Sequence, residues 1–450
     1  MKKIFKLGSI LTEILFVGGG VTVLSTSCET QKFRITDIFT VQDDHIITGF
    51  QPYFSVSQIS DNFSLNFSEY GIDQIGNGTD FLLSPFVNDE GTRKTNYNQI
   101  VAFYKKLSSL SLKGCAILNS SAMFRGWSTG SYMFFGVNFD NLTNLNLSDT
   151  DWAYAARNNE STLGPTTEET NLQGTGNYSF SNCRFDKLTT LTLTNARFSY
   201  PYMGSLADRY VETGSHFFYR SNFKWLYTID LNGTIFANDY MNCSDGGSAD
   251  SGSAACFFSE CNFAQLRNIK FGNAKFANVN MNRSAGGRYS DTCASMFESA
   301  KFESLVNLEL TDLQLAAPFE SDTDAAMTSP RTGYRMFYNA EFDSLTTIDF
   351  SNCVLSTTNT ANNRFAASMF ASASFVNLSS INFRSKTGAD FSERYNEKIM
   401  PCFDNTTTWN PRGGTFYTTF DPVSQSDQLP STSAFAANSF PDEWEWTQYH

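Results

Sequence analysis

The stretch Phe180–Phe198, FSNCRFDKLTTLTLTNARF, combines one cysteine with phenylalanines and leucines at short, regular intervals. Apolar and polar residues alternate around Leu191 and Leu193, which predicts a short, half-buried β-strand. Cys183 could be a reactive or metal-binding thiol, or it could belong to a packing unit that recurs along the chain. Comparing this stretch with the rest of the sequence decides between the two.

The pattern F-x-x-x-x-F-x-x-L-x-x-[LI]-x-[LF] occurs seven times between residues 134 and 383, at steps of 33–46 residues. A weaker copy, YKKLSSLSL, precedes these at residues 104–112. The second phenylalanine of each full copy is Phe139, Phe185, Phe223, Phe263, Phe302, Phe342 or Phe375. One unit cannot bury its own rings, so the repeat predicts that successive units stack into a solenoid.

Cys183 occupies a repeat position that elsewhere holds a small residue. The corresponding residues are Val137, Ser221, Cys261, Ala300, Ala340 and Ala373. A buried thiol behaves as a compact apolar group. We therefore interpret Cys183 as a packing residue and expect no active-site thiol in this stretch.

The flanks of the strand are also similar between units. Segments such as Ser295–Leu305, SMFESAKFESL, have small and apolar residues at helix-like spacing and predict short helical turns. A further bulky residue follows each strand: Trp152, Phe198, Phe236, Phe276, Leu315 and Leu355. The connections rich in Ser, Gly, Asp and Asn, such as 242–252 and 282–291, lack the acid spacing of calcium loops, and we interpret them as long loop insertions.

The pattern L-x-x-L-x-L-x-x-(N/C/small)-x-(L/F) resembles the leucine-rich repeat, as in LTTLTLTNARF at 188–198 and LTTIDFSNCVL at 345–355. The upstream F-x-x-(C/A) resembles the BspA-like leucine-rich repeats of bacterial surface proteins. The resemblance implies a repeat solenoid of about eight units, one short parallel strand each, capped at both ends. The family's usual asparagine is absent here and the units are long, so we expect a less curved stack with insertions.

The N-terminal stretch MKKIFKLGSILTEILFVGGGVTVLSTSC has a basic start, an apolar run and small residues before Cys28. This order is typical of an export signal. It resembles the processing site of bacterial lipoproteins, which implies removal of residues 1–27 and lipidation of Cys28. An ordinary cleaved signal and an uncleaved anchor are the alternatives. We expect an N-terminal cap or small β region at 28–99, the solenoid at 100–385 and a C-terminal cap or tail at 386–450.

Composition excludes several functions. The net charge of −13 disfavours nucleic acid. Neither a P-loop nor a G-x-S-x-G or H-E-x-x-H motif is present, so no catalytic residues are assigned. With three histidines and no C-x-x-C pair, we expect no metal site and no cofactor. A Cys243–Cys256 disulfide and free thiols both remain open.

The outward residues between the strand leucines form the expected partner-binding surface: Asn144, Asn146, Thr190, Thr192, Thr228, Asp230, Asn268, Lys270, Asn307, Glu309, Thr347 and Asp349. Short polar side chains suit hydrogen bonding to a protein or a glycan. The insertions are the alternative contact site. We expect a lipid-anchored bacterial surface protein that binds a surface protein or glycan of a host or neighbouring cell without catalysis.

Two other functions remain open. The acids Asp230, Glu309 and Asp349 could approach one another in a stack, as in a β-solenoid enzyme that cleaves polysaccharide. The chain could also be a structural component of a surface layer.

Overall fold

The computed structural model describes the backbone of residues 15–17 and 20–22 and much of the chain from residue 34 onward. The described ranges after residue 33 are 34–76, 83–88, 90–118, 131–154, 176–198, 214–236, 254–276, 293–313, 333–351, 353, 368–382, 403, 409–418 and 444–448. Within these ranges the chain consists mostly of short parallel strands with few helices. The described chain is therefore a solenoid-like stack, as the repeat predicts.

The helical elements are the 3-10 helices Ile35–Asp37, Val56–Gln58 and Phe67–Tyr70 and the α-helix α1 (Tyr97–Lys106). The strands, in chain order, are β1 (Leu15–Val17), β2 (Gly20–Thr22), β3 (Phe39–Gln42), β4 (Ile46–Phe50), β5 (Phe63–Asn66), β6 (Gln74–Ile75), β7 (Leu107–Ser111), β8 (Ala116–Ile117), β9 (Asn138–Phe139), β10 (Asn144–Asn146), β11 (Arg184–Phe185), β12 (Thr190–Thr192), β13 (Asn222–Phe223), β14 (Thr228–Asp230), β15 (Asn262–Phe263), β16 (Asn268–Lys270), β17 (Lys301–Phe302), β18 (Asn307–Glu309), β19 (Glu341–Phe342), β20 (Thr347–Asp349), β21 (Ser380–Asn382), β22 (Gly414–Thr418) and β23 (Trp444–Gln448).

The strands predicted from the leucine alternation form the first side of the stack. They pair in the order β16-β14-β12-β10-β7-β5, and a second group pairs in the order β18-β20-β21-β22-β23. All of these pairs are parallel. Each repeat unit therefore contributes one strand to this side, whose central leucine or isoleucine is buried. Most units have a second strand in another sheet, so the prediction of one strand per unit is wrong.

A second sheet, which the alternation does not predict, carries the second phenylalanine of each unit. The two-residue strands pair in the order β19-β17-β15-β13-β11-β9, again in parallel. A third side is formed by isolated parallel bridges between successive units. They begin at Ala116 in β8 and continue through Asp151, Arg197, Ile235 and Lys275. The units as far as Lys275 thus turn through three sides of a coil.

The segments before these two-residue strands are not the helical turns that their spacing predicts. Ser295 and Ser299 have left-handed backbone angles, with φ of 53° and 54°. The amide of Ala300 bonds to the carbonyl of Phe297 at 3.1 Å, and that of Phe297 bonds across to Met336 at 2.7 Å. Because alternate amides bond to the neighbouring unit, the segment forms stacked turns and the helical prediction is wrong.

Three columns of stacked rings fill the core. Ring centroids are 4.5–5.2 Å apart in the column that begins at Phe134 and ends at Phe370. They are 4.9–5.3 Å apart in the column from Phe139 to Phe375. The third column, Trp152, Phe198, Phe236 and Phe276, has spacings of 5.2–6.2 Å. The third column is the most widely spaced where it begins, at 6.2 Å between Trp152 and Phe198.

The stack also extends beyond the recognisable repeat. Before it, β3 and β4 form an antiparallel hairpin, β4 pairs with β6, and β5 pairs with β7. After it, β22 joins β21 and β23 joins β22, while the ring of Phe403 stacks on Phe370 at 5.2 Å. Residues on both sides of 100–385 therefore continue the sheets of the solenoid.

Candidate functional site

The predicted partner-binding residues lie on the first sheet in two columns, which we call the strand face. The twelve residues are in register along each group of strands. The first column is Asn144, Thr190, Thr228 and Asn268, continued by Asn307 and Thr347. The second is Asn146, Thr192, Asp230 and Lys270, continued by Glu309 and Asp349. Each of the twelve is half-buried or exposed, because the pleat alternates them with buried residues.

Part of the second column also shapes the turn after the strand. The side-chain oxygen of Asn146 accepts the amide of Ser148 at 3.0 Å, and that of Asp230 accepts the amide of Asn232 at 3.0 Å. Asp349 accepts the Ser351 amide at 2.8 Å. Such bonds two residues along the chain are typical of Asx turns. These three side chains therefore have a structural role that the alternation alone does not reveal.

The first sheet is interrupted between β16 and β18. The amide of Leu231 bonds to the carbonyl of Lys270 at 2.8 Å, and that of Leu310 bonds to Asp349 at 2.8 Å. No backbone hydrogen bond of the first sheet joins the described residues 268–276, in the unit of β16, to the described residues 305–313, in the unit of β18. The second sheet is continuous there, since the amide of Lys301 bonds to Cys261 at 3.0 Å.

The strand-face acids are only partly brought together. Glu309 and Asp349 are register partners on β18 and β20. Asp230 instead lies beside Lys270 on the other group of strands. Two of the three acids are therefore neighbours, and the third faces a cation.

Cys183 and Cys261 are packing residues of the core. Cys183 is buried, and its thiol donates to the carbonyl of Phe134 at 3.1 Å. Cys261 is equivalent, with its thiol 3.0 Å from the carbonyl of Phe218. Burial raises the pKa of both thiols, because the thiolate would lose its hydration. This confirms the interpretation of Cys183. Cys28 and Cys243 lie outside the described residues.

Two exposed rings beside the strand face were missed by sequence reasoning. Trp225 is 43% exposed and Tyr227 is 36% exposed, while Leu226 between them is buried. The guanidinium of Arg267 lies 5.8 Å from the centroid of the Tyr227 ring. Comparing the units gives a signal for this position, because Asn141 stands where this unit has Trp225, but it does not show that the ring is exposed.

A second missed cluster lies on the stacked turns. The ring of His216 stacks on Tyr178 at 4.6 Å, and Tyr219 donates from its hydroxyl to Glu260 at 2.8 Å. Arg220 donates from Nε to Glu260 at 2.7 Å. The bond from Arg220 is the main cause that lowers the pKa of the Glu260 carboxyl. Burial and then the bond to Glu260 raise the pKa of Tyr219. The side chains of this cluster bond to one another and link adjacent units.

Nothing in the described ranges gathers three or more His, Cys, Asp or Glu side chains that could hold a metal ion. Among the helices of these ranges, none has the length and apolar composition needed to cross a membrane.

Comparison with known proteins gives no relative: no protein-family model, no curated protein and no solved structure matches the chain.

Proposed function

We propose that the chain is an exported, lipid-anchored bacterial surface protein whose solenoid binds a surface protein or glycan. The observation that carries the proposal is the strand face, in which polar side chains, most of them short, form in-register columns along parallel strands. Short side chains lose little conformational entropy when a partner orders them. A repeated row of donors and acceptors suits an extended partner.

The finer architecture belongs to the same proposal. The BspA-like leucine-rich-repeat pattern supports a stack of about eight units that is capped at both ends. Residues 34–76, 409–418 and 444–448 supply the outer strands and are the candidate caps. Limited proteolysis of the full chain, followed by mass spectrometry, should leave the repeat units and these outer strands in one fragment or one nicked complex.

The binding proposal is tested by charged substitutions on one face at a time. Thr190→Glu with Asn268→Glu places two large anions on the strand face, and the expected result is at least about tenfold weaker capture of surface glycans or proteins. Asn138→Glu with Asn222→Glu is the matched control, since both residues are exposed on the second sheet. Equal capture by the two double variants would refute binding through the strand face.

The anchoring proposal rests on Cys28 and the signal-like segment before it. In the native host, Cys28→Ala should abolish acyl labelling and release the protein from the membrane fraction. Cys183→Ala is the control, because that thiol is buried in the core. Unchanged labelling of Cys28→Ala would exclude lipidation at this residue.

The register of Glu309 and Asp349 favours a second candidate function, cleavage of polysaccharide. Neighbouring strands are about 4.8 Å apart. Retaining glycosidases hold their two carboxyl groups about 5–5.5 Å apart. If polysaccharide cleavage is observed and Glu309→Gln removes it, this candidate replaces simple binding; absence of cleavage by the native chain eliminates it.

A further inference from the structure

One surface feature has no part in the strand face or the core. It consists of Trp225, Tyr227, Arg267, Lys187 and Lys224, and we call it the aromatic corner. Most large rings of the described units are packed in the core, with Phe218, Phe223 and Phe236 of the same unit fully buried. Trp225 and Tyr227 are the large aromatic exceptions there, at 43% and 36% exposure. Exposing rings costs hydrophobic free energy, so two of them only two residues apart call for a functional reason.

The corner gathers residues from three successive units. The amide of Tyr227 bonds to the carbonyl of Thr189 at 3.0 Å, and the amide of Arg267 bonds to the carbonyl of Tyr227 at 3.1 Å. Lys187 stands two residues before Thr189, as Trp225 stands two residues before Tyr227, so Lys187 occupies the corresponding position one unit away.

The corner is also basic in an acidic protein. The chain carries a net charge of −13, yet the rings are bordered by Lys187, Lys224 and Arg267, all exposed. Within the described residues none of these three cations forms an ion pair with a carboxylate. Lys187 donates instead to the amide oxygen of Asn141 at 2.6 Å. The positive charge of the corner is thus available to an anionic partner.

We infer that the aromatic corner binds an acidic carbohydrate. The face of an indole or phenol ring is negative and attracts the weakly positive C–H groups of a sugar ring. Guanidinium and ammonium groups supply the partners for carboxylate or sulfate substituents. The hydroxyl of Thr228 lies in one of the same units and can bond to a sugar hydroxyl. That of Thr189 donates to the carbonyl of Thr143 at 3.0 Å and can accept a bond from one. This inference rests on the proposed binding function and names its ligand class.

The test uses the full-length chain in detergent micelles and titration calorimetry with defined polymers. Polygalacturonate offers carboxylates, chondroitin sulfate adds sulfates, pullulan is a neutral sugar polymer, and poly-glutamate is an acidic polymer without sugar. Binding to one or both acidic polysaccharides is expected, and the two arms identify the anionic group. Trp225→Ala and Tyr227→Ala should each weaken it about tenfold. Arg267→Gln should weaken it and reduce its dependence on salt.

Val306→Ala is the matched control. Val306 is 44% exposed and occupies the position of Tyr227 two units further on. The substitution therefore removes apolar surface outside the corner. It should leave the affinity unchanged. Circular dichroism of each variant checks that the exposed substitutions leave the fold intact.

Several outcomes would overturn the inference: no affinity for either acidic polysaccharide, equal affinity for pullulan or poly-glutamate, or full affinity in Trp225→Ala. If acidic polysaccharides do not bind while the strand-face double variant loses its partner, the inference fails and the proposed function stands. If neither the corner nor the strand-face substitutions alter any capture, both are refuted.

Discussion

Phe263 shows at the scale of one residue what holds the stack together. Its ring is fully buried and is stacked between Phe223 at 5.2 Å and Phe302 at 5.3 Å. Phe258 and Phe297 contact its edge at 5.9 and 6.4 Å. Loss of this ring would leave a cavity shared by three units, and none of the neighbouring rings can move in without breaking its own stack.

Phe263→Ala should therefore lower the free energy of unfolding by about 3–5 kcal/mol. Lys270→Ala is the control on the same unit, because Lys270 is exposed; its effect should stay within about 0.5 kcal/mol. Urea unfolding followed by circular dichroism measures both. Equal and small effects for the two variants would contradict the stacking account.

The buried thiols predict a loss of stability at alkaline pH. Burial raises the pKa of Cys183, whereas a thiol in the unfolded chain ionises near about pH 8.5. The unfolded state therefore releases its proton first, and stability falls as pH rises from the unfolded pKa towards the folded pKa. From about pH 8 to about pH 10, the contribution of one such thiol is about 2 kcal/mol.

Urea unfolding of the native chain and Cys183→Ala at these two pH values checks this prediction. The variant should lose about 2 kcal/mol less than the native chain between them. Alanine is suited to the site, since Ala300 and Ala340 occupy the same position in later units and are buried. An identical pH dependence of the two proteins would mean that the thiol ionises in the folded state.

At the scale of an element, the stacked turns depend on left-handed residues that fit closely against the preceding unit. Gly214 has a φ of +68°, and a Cβ there would lie 2.5 Å from Cδ1 of Phe198. The Phe198 ring is itself held between Trp152 and Phe236, at 6.2 and 5.6 Å. The turn thus needs glycine for its backbone angle and for the approach of the ring.

Gly214→Ala should destabilise the fold by about 2–4 kcal/mol, of which about 1 kcal/mol is the left-handed backbone and the rest is the clash. Gly114→Ala is the matched control: its φ is +76°, but a Cβ would meet no atom within 4 Å. It should show the backbone cost alone. Thermal unfolding of both variants separates the two terms, and equal shifts would rule out the clash.

At the scale of the whole molecule, the interruption between β16 and β18 divides the first sheet while the second sheet runs on. Phe271 stands at the repeat position that leucine fills in Leu147, Leu193, Leu231 and Leu310. Phe350 occupies the same position with its amide bonded to Asn382 at 2.7 Å, so the larger ring alone does not open the sheet. The strand face is consequently two surfaces, one on each side of the interruption.

The amide of Phe271 should exchange with solvent at least about tenfold faster than those of Leu231 and Leu310, because it lacks the bond that both of these make to the next unit. Hydrogen exchange of the full chain, resolved by NMR or by peptides around residues 265–276, measures this. Equal protection of the three amides would show that the sheet is continuous in solution.

Much of the fold is predictable because each apolar side chain must be buried against its counterpart in the next unit, which recurs at similar spacing along the chain. Rings such as Phe139 and Phe185 recur with leucines at constant offsets, and only stacking in register buries them all. The two-residue strands of the second sheet are too short to show a period. Phe403 and Trp444 continue the stack outside that spacing, so the repeat pattern does not find them.

The candidate site is predictable to a similar degree. Alternation places Thr190 and Thr192 on one face, and the register of the strands then aligns them with their counterparts. The exposure of Trp225 could not be derived in this way, since aromatic residues beside a buried leucine are usually interpreted as core. Its position at the corner between two sheets decides that it faces solvent.

The sequence by itself determined that units stack, which leucines and phenylalanines are buried and that Cys183 is a packing residue, because these follow from periodic burial. Only the tertiary structure decided where a sheet is interrupted, which polar side chains close turns and which rings stay exposed. These depend on contacts between units, such as that of Tyr227 with Arg267, whose partners lie about forty residues apart in the chain. No local pattern encodes such pairs.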